Sequence, residues 1–134
     1  MMTDLIRNNG HALRGAKILV VEDEPSIAML IEDWLDDVGA QVLGPAGSVG
    51  EALQLIDQAQ LDGGMSAAIL DINLGGEAVL PVADRLAAVG VPFLFATGYG
   101  TDCPRGRHST TAILTKPFVS QTLVMAVMSL TTET

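Results

Sequence analysis

Acidic side chains end two apolar runs of the sequence, and a threonine and a lysine follow two others. Glu22 and Asp23 come at the end of AKILVVEDE, and Asp71 comes at the end of AAILD. Thr97 ends VPFLFAT, and Lys116 directly follows TAILT. If these runs are parallel strands of one sheet, their carboxyl ends meet at one edge. Three carboxylates, a hydroxyl and an ammonium group then gather in one place.

Such a gathering of charges has a definite chemistry. Carboxylates about 4 Å apart repel one another by about 4 kcal/mol per pair at an effective dielectric constant near 20, so they take up protons or bind a hard cation. Mg²⁺ prefers carboxylate and carbonyl oxygens and is the expected ion. With Mg²⁺ and Lys116 beside it, Asp71 can attack a phosphoryl group while both positive charges stabilise the developing charge. Thr97 offers a hydroxyl to a phosphoryl oxygen, and Gly98 leaves space beside the site.

Alternating strand and helix patterns predict the fold that positions these residues. Strand-like apolar runs lie over residues 16–24, 40–45, 67–71, 91–98 and 111–118, and helical patterns lie over 25–38, 48–60, 77–90 and 120–130. Ser48 and Glu51 form a capping box for the second helix, and Ser120 is the expected N-cap of the last. Right-handed crossovers then favour an α/β fold, a flavodoxin-like doubly wound five-stranded parallel sheet of order 2-1-3-4-5 with helices on both faces.

One stretch fits this alternation poorly. Residues 98–110 contain three glycines and a proline and have almost no apolar periodicity, so we expect the fourth helix to be short or mobile. His108 lies in this polar stretch and His11 in another, and both are expected to be solvated.

The length and the charge of the chain limit the functions that are compatible with the sequence. The 134 residues suffice for one domain, and the net charge is −9. Thirteen acidic residues and no basic one lie between Lys17 and Arg85, which argues against nucleic-acid binding. No apolar stretch approaches the roughly 18 residues of a membrane span, and the N-terminus lacks a signal-peptide apolar region. We therefore expect a cytoplasmic protein without membrane contacts.

Four segments carry a resemblance to a known family. ILVVEDEP, AAILDINL, FLFATGYG and LTKPF, in this order at predicted strand ends, resemble the receiver domain of response regulators in two-component signalling. The expected receiver domain covers residues 17–134, after an N-terminal extension of residues 1–16. PFLFATGYG is similar to the receiver subgroup with a Phe-Ala-Thr-Gly-aromatic-Tyr signature, although here Tyr99 directly follows Gly98.

The resemblance implies a role for each residue of the site. By it, Asp71 is the phospho-acceptor, Asp23 a direct Mg²⁺ ligand and Glu22 a ligand through water. It further implies that the backbone carbonyl of Asn73 is a ligand, that Thr97 is the switch hydroxyl, and that Lys116 binds the phosphate.

Further positions are expected to tune the site. In the family the Lys116–Pro117 peptide is cis, a form that X-Pro bonds adopt at modest cost. Tyr99 lies where the family tunes access of hydrolytic water, and contact with a partner is an alternative role. Ile113 stands where many receivers have an aromatic side chain that turns inward, so the usual aromatic switch is missing. We expect an ordering of residues 98–112 around Thr97 to replace it.

The function implied is that of a single-domain response regulator. It would accept a phosphoryl group on Asp71 from a sensor histidine kinase or phosphotransfer protein, which would dock on the helix over residues 25–38. The chain would catalyse its own phosphorylation and dephosphorylation without being an enzyme in the usual sense. It would signal by contact with a downstream protein, and the sequence leaves open whether it forms a homodimer.

Two alternatives remain open. One is a scaffold on the receiver fold that works without phosphorylation. The other is a haloacid-dehalogenase-like phosphatase, which also uses an aspartate at a strand end with Mg²⁺. That enzyme needs a second aspartate two residues later as acid and base, and Asn73 occupies this position.

Overall fold

The computed structural model describes residues 13–98, 108 and 111–132. Four helices lie in these residues: α1 Pro25–Asp37, α2 Val49–Leu61, α3 Leu80–Ala88 and α4 Ser120–Thr132. Seven strands accompany them: β1 Lys17–Val21, β2 Gln41–Ala46, β3 Ala67–Asp71, β4 Asn73–Leu74, β5 Glu77–Ala78, β6 Phe93–Thr97 and β7 Ile113–Thr115. None of the helices in the described part of the chain is long and apolar enough to span a membrane.

Five strands form one parallel sheet in the order β2-β1-β3-β6-β7. Without the short β4 and β5, this is the order 2-1-3-4-5, so the flavodoxin-like prediction is confirmed. β3 and β6 are buried along their whole length, which explains their continuous apolar runs.

Side chains from the two faces of the sheet pack into two separate apolar cores. Side chains such as Leu70 and Phe95 pack with α2 and α3 on one face. Their strand neighbours, such as Ile69 and Leu94, pack with α1 and α4 on the other. Because side chains alternate along a strand, each strand binds helices on both faces while its carboxyl end stays at the edge.

The starts of α1 and α2 follow the sequence signals, whereas those of α3 and α4 differ from them. Ser48 Oγ accepts a hydrogen bond of 3.1 Å from the Glu51 N–H, which confirms the predicted cap of α2. The Glu51 carboxylate accepts from the N–H of Gly47, one residue before the cap. Ser120 is the first residue of α4, so its prediction as N-cap was wrong by one position.

The third helix begins three residues later than predicted, because the chain first forms a β-hairpin. β4 and β5 pair antiparallel across Gly75 and Gly76, whose φ angles are +56° and +94°. Two glycines with positive φ favour the tight turn that joins such strands. Glu77 therefore belongs to β5, and α3 starts at Leu80 with Pro81 in its first turn.

The prediction that His108 is solvated was wrong. His108 is buried, and its Nε2 lies 2.7 Å from Asp84 Oδ1 on α3. Its ring makes edge contacts with Phe93 and Phe95, at centroid distances of 5.3 and 6.4 Å. The predicted short or mobile fourth helix lies, apart from residues 98 and 108, outside the described residues.

Candidate functional site

The three acidic side chains meet at the carboxyl edge of the sheet. β1 and β3 pair in parallel with Val21 opposite Leu70, so the residues that follow these partners end side by side. Glu22 and Asp71 are buried, whereas Asp23 is exposed. One carboxylate oxygen from each of the three lies within 4.8 Å of the others.

Lys116 joins this cluster from the end of β7. Its ammonium donates hydrogen bonds to Glu22 Oε1 at 2.8 Å and to Asp71 Oδ2 at 3.2 Å. The Lys116 backbone N–H donates to the Thr97 carbonyl at 2.7 Å, which ties the end of β7 to the end of β6. The peptide bond from Lys116 to Pro117 is cis.

Burial and charge act against each other in this cluster. Burial raises the pKa of Glu22, and the hydrogen bonds from Lys116 and from the Glu24 N–H offset that effect only in part. Burial also lowers the pKa of Lys116, but the Glu22 hydrogen bond and the negative charges of Asp71 and Glu22 outweigh it, so the net pKa is raised. Lys116 is therefore a firmly protonated ammonium group among the carboxylates.

Asp71 is held by both of its oxygens. While Lys116 binds Oδ2, Oδ1 accepts a hydrogen bond of 3.2 Å from the Asn73 N–H. The Asn73 side chain in turn accepts from the Gly76 N–H at 2.8 Å, inside the hairpin. Asn73 therefore places the start of the hairpin directly beside the candidate phospho-acceptor.

The remaining residues of the sequence prediction lie around this centre or outside the described chain. Thr97 is buried at the end of β6 opposite Thr115. Gly98 follows it, and no atom of the described residues lies within 4 Å of the position that a Cβ would take there. Ile113 is half-buried, pairs with Phe95 and packs on the core formed with α2 and α3. Tyr99 and most of residues 98–112 lie outside the described residues.

The donor set fits a hard divalent cation. The three clustered groups offer only carboxylate oxygens, which suit Mg²⁺ better than softer metals. Two of these carboxylates share one ammonium group, so a divalent ion would offset negative charge that Lys116 leaves uncompensated. The residues could therefore hold Mg²⁺ through Glu22, Asp23 and Asp71.

Two features of the site were missed at the sequence level. The contact of Lys116 with Glu22 is shorter than its contact with Asp71, and no local pattern indicates it because 94 residues separate the two. The hairpin did have a signal, since Gly-Gly is a favoured turn between paired strands. Its flanking strands are only two residues long, which hid the alternation of a strand.

An apolar groove lies beside the cluster. Its volume is about 340 Å³, and its walls come from α1 and from the segment after β7. Trp34 and Phe118 face each other there at a centroid distance of 6.2 Å. Lys116 also lines the groove, which therefore reaches the charged centre.

Comparison with known proteins relates the chain to bacterial regulators. No protein-family model matches the sequence. The phyllosphere-induced regulator PhyR of Methylorubrum extorquens is 33% identical over 121 residues, which are 86% of this chain but only 44% of PhyR. The chain thus spans less than half the length of that relative.

Solved structures extend the similarity. SdrG of Sphingomonas melonis Fr1 is 42% identical with a TM-score of 0.71, over 88% of this chain and 98% of SdrG. A structure of SdrG from Pseudomonas melonis Fr1 in a BeF3-activated conformation is 40% identical with a TM-score of 0.66, over 87% of this chain and 98% of that SdrG chain. A response regulator receiver protein from Burkholderia phymatum is 25% identical with a TM-score of 0.73, over 86% of this chain and 94% of that protein's chain.

Proposed function

The chain belongs to the receiver family of response regulators, and on this basis we propose that it accepts a phosphoryl group on Asp71 with the help of Mg²⁺. The donor would be a sensor histidine kinase or a phosphotransfer protein. The phosphorylated chain would signal in the cytoplasm by contact with a downstream protein. The domain that does this is proposed to cover residues 17–134, with residues 1–16 as an extension.

One observation carries the proposal: a buried carboxylate lies between a firmly protonated lysine and two further acids. Asp71 accepts from Lys116 at 3.2 Å and shares its surroundings with Glu22 and Asp23 within 4.8 Å. An isolated aspartate at a strand end would have neither neighbour. The arrangement supports a nucleophilic carboxylate beside a fixed ammonium group, which would stabilise the negative charge on the oxygens of the transferred phosphoryl group.

The transfer would use Asp71, Lys116 and Thr97 of this chain and the phosphohistidine of the donor. An Asp71 oxygen would attack the phosphorus of a phosphohistidine, forming a P–O bond while the P–N bond breaks. The histidine nitrogen would keep the electron pair of that bond and take up a proton from solvent water. The Lys116 ammonium would bind one phosphoryl oxygen, and the Thr97 hydroxyl would bind another. When bound, Mg²⁺ would supply charge neutralisation at the phosphoryl oxygens.

A relative supports the phosphoryl chemistry. The second SdrG structure, which is 40% identical to this chain, is that of a BeF3-activated conformation. Beryllium trifluoride resembles a phosphoryl group in shape and charge. Activation of a relative by such a group supports an acyl phosphate on Asp71 in this chain.

The groove beside Lys116 supports a protein donor. Its apolar walls on α1, including Leu30 and Trp34, lie next to the charged centre. Leu30 is half exposed, and Met29 next to it is 61% exposed. A protein that brings its phosphohistidine to Asp71 could bury these side chains, as the resemblance implies for α1.

Incubation with acetyl phosphate and Mg²⁺, followed by intact mass spectrometry, tests the proposal. We expect the mass to increase by one phosphoryl group, labile to hydroxylamine, in the wild type and in Asp36→Asn, which removes an exposed acid of α1. Asp71→Asn should gain none. Sustained hydrolysis of phosphate esters would instead favour a phosphatase. No labelling of a folded wild type would favour the scaffold and overturn the proposal.

A further inference from the structure

The β4–β5 hairpin reaches from the charged cluster to the start of α2. Glu77 on β5 accepts a hydrogen bond from the Val49 N–H, with Oε1 3.3 Å from the nitrogen. Val49 is the first residue of α2, where backbone N–H groups have no partner within the helix. A carboxylate there is also favoured by the helix dipole. Glu77 thus binds the hairpin to a second element of the fold.

The other end of the hairpin lies against the acids. A Cβ added to Gly75 would stand 3.3 Å from Asp23 Oδ2, so the turn passes directly over this carboxylate. Asn73, which starts the hairpin, donates its N–H to Asp71. The hairpin therefore forms one wall of the candidate cation site.

Such a hairpin needs anchors outside itself. Each of its strands has two residues, and isolated two-stranded hairpins are marginally stable in water. Leu74 is buried in the core and fixes one strand. The other strand, β5, is exposed on both residues. Val79 directly after it is buried in the same core, and Glu77 adds a contact between β5 itself and α2.

We propose that Glu77 is a positioning residue for the cation site: by binding the Val49 N–H, it holds the hairpin, with Asn73 and the Gly75 turn, against Asp23 and Asp71. This inference rests on the proposed function, because it concerns the Mg²⁺ that phosphorylation requires. Glu77 acts through the position of the hairpin, and its own carboxylate is occupied at α2.

Mg²⁺ titration by calorimetry tests the role of the Glu77 side chain. Glu77→Ala should weaken Mg²⁺ binding about 10-fold, the lower end of the range for losing a group that positions metal ligands, because Glu77 acts on the site through the hairpin. Glu77→Gln keeps an acceptor oxygen and should bind within about 2-fold of the wild type, because a retained acceptor can still hold the Val49 N–H. Both variants lose the same charge. Equal weakening in the two would therefore assign the effect to charge alone and overturn the proposal.

The partner N–H offers an independent test. Val49→Pro removes this donor at the first helical position, where proline is favoured, and Ser48 before it has the extended backbone that precedes proline. Val49→Pro should weaken Mg²⁺ binding to the same extent as Glu77→Ala. The double variant should show no further loss, because both changes remove one contact. Additive losses would contradict the proposed contact.

The outcomes separate this inference from the proposed function. If the wild type binds no Mg²⁺ in the titration, both fail, because no cation needs positioning. If the wild type binds Mg²⁺ and Glu77→Ala binds it equally well, only the role of Glu77 fails. The amide resonance of Gly75 in the metal-free protein gives a readout besides binding: it should shift in Glu77→Ala and stay near its wild-type position in Glu77→Gln.

Discussion

Replacing Lys116 by methionine should destabilise the metal-free protein strongly. The ammonium lies 2.8 Å from a Glu22 oxygen and 3.2 Å from an Asp71 oxygen. At an effective dielectric constant near 20, these contacts correspond to about 6 and about 5 kcal/mol of Coulomb attraction. Methionine keeps most of the side-chain volume and removes the charge, so the change isolates the ion pairs.

The net effect is smaller than that sum. Removing charged groups from water costs several kcal/mol per ion and cancels much of the attraction, and breaking a buried pair from one side typically costs about 3–5 kcal/mol. The Lys116 side chain is 19% exposed, whereas that of Glu22 is 1% exposed. Water therefore reaches the lysine but not its main partner. We expect the free energy of unfolding to fall by about 3 kcal/mol, the lower end of that range.

Urea unfolding at pH 7 with a chelator, followed by fluorescence of Trp34, measures this loss. With a slope of about 2 kcal/mol per molar urea, the midpoint should fall by about 1.5 M. Lys17→Met is the matched control, since it removes the same charge from the chain's other lysine. Among the described residues, the Lys17 ammonium contacts the Asp62 carbonyl alone, at a long distance of 3.4 Å, so this substitution should lower the free energy of unfolding by less than about 0.5 kcal/mol.

The pH dependence of the variant follows from Glu22. A carboxyl group whose pKa is raised on folding adds stability below its ordinary value of 4.5, and this stability is lost as pH rises through the folded-state pKa. Without Lys116 that pKa rises further. The difference in the free energy of unfolding between the wild type and Lys116→Met should therefore become smaller as pH falls from 7 towards 4.5. Equal stability of the two lysine variants at pH 7 would refute the reasoning.

Three further predictions concern single groups. The side-chain carboxyl carbon of Glu22 should titrate above pH 4.5 in NMR spectra of the metal-free protein, because burial raises its pKa; a midpoint below 4.5 would contradict this. His108→Ala should lower the free energy of unfolding by about 2–3 kcal/mol in urea, because it removes a buried ring, its contacts with two phenylalanines and its part-buried hydrogen bond with Asp84. A loss under about 0.5 kcal/mol would mean that the ring is solvated. Excess Mg²⁺ should raise the thermal midpoint of the wild type and raise that of Asp71→Asn much less, because the ion binds the folded state through this carboxylate; equal shifts would place the ion elsewhere.

Much of the fold could be predicted because it depends on local patterns. The apolar runs that end at Val21, Asp71 and Thr97 are continuous, as strands buried on both faces must be. Ser48 and Glu51 begin a helix by contacts three residues apart. Once the strands are parallel, their carboxyl ends must share an edge, so the meeting of the acids with Lys116 follows from order alone.

What the sequence could not decide depends on contacts between distant residues. α3 begins later than predicted because the hairpin precedes it, and the burial of Leu74 in the core stabilises that hairpin. His108 is buried because Asp84 and two phenylalanines surround it. Lys116 lies nearer to Glu22 than to Asp71, although β3 and β6 stand between β1 and β7, because its long side chain reaches across the edge of the sheet. Local preference therefore determined which elements form and which residues stand at their ends. Packing between the elements determined which side chains lose water and which partner each charge takes, since both depend on distances that exist only in the folded chain.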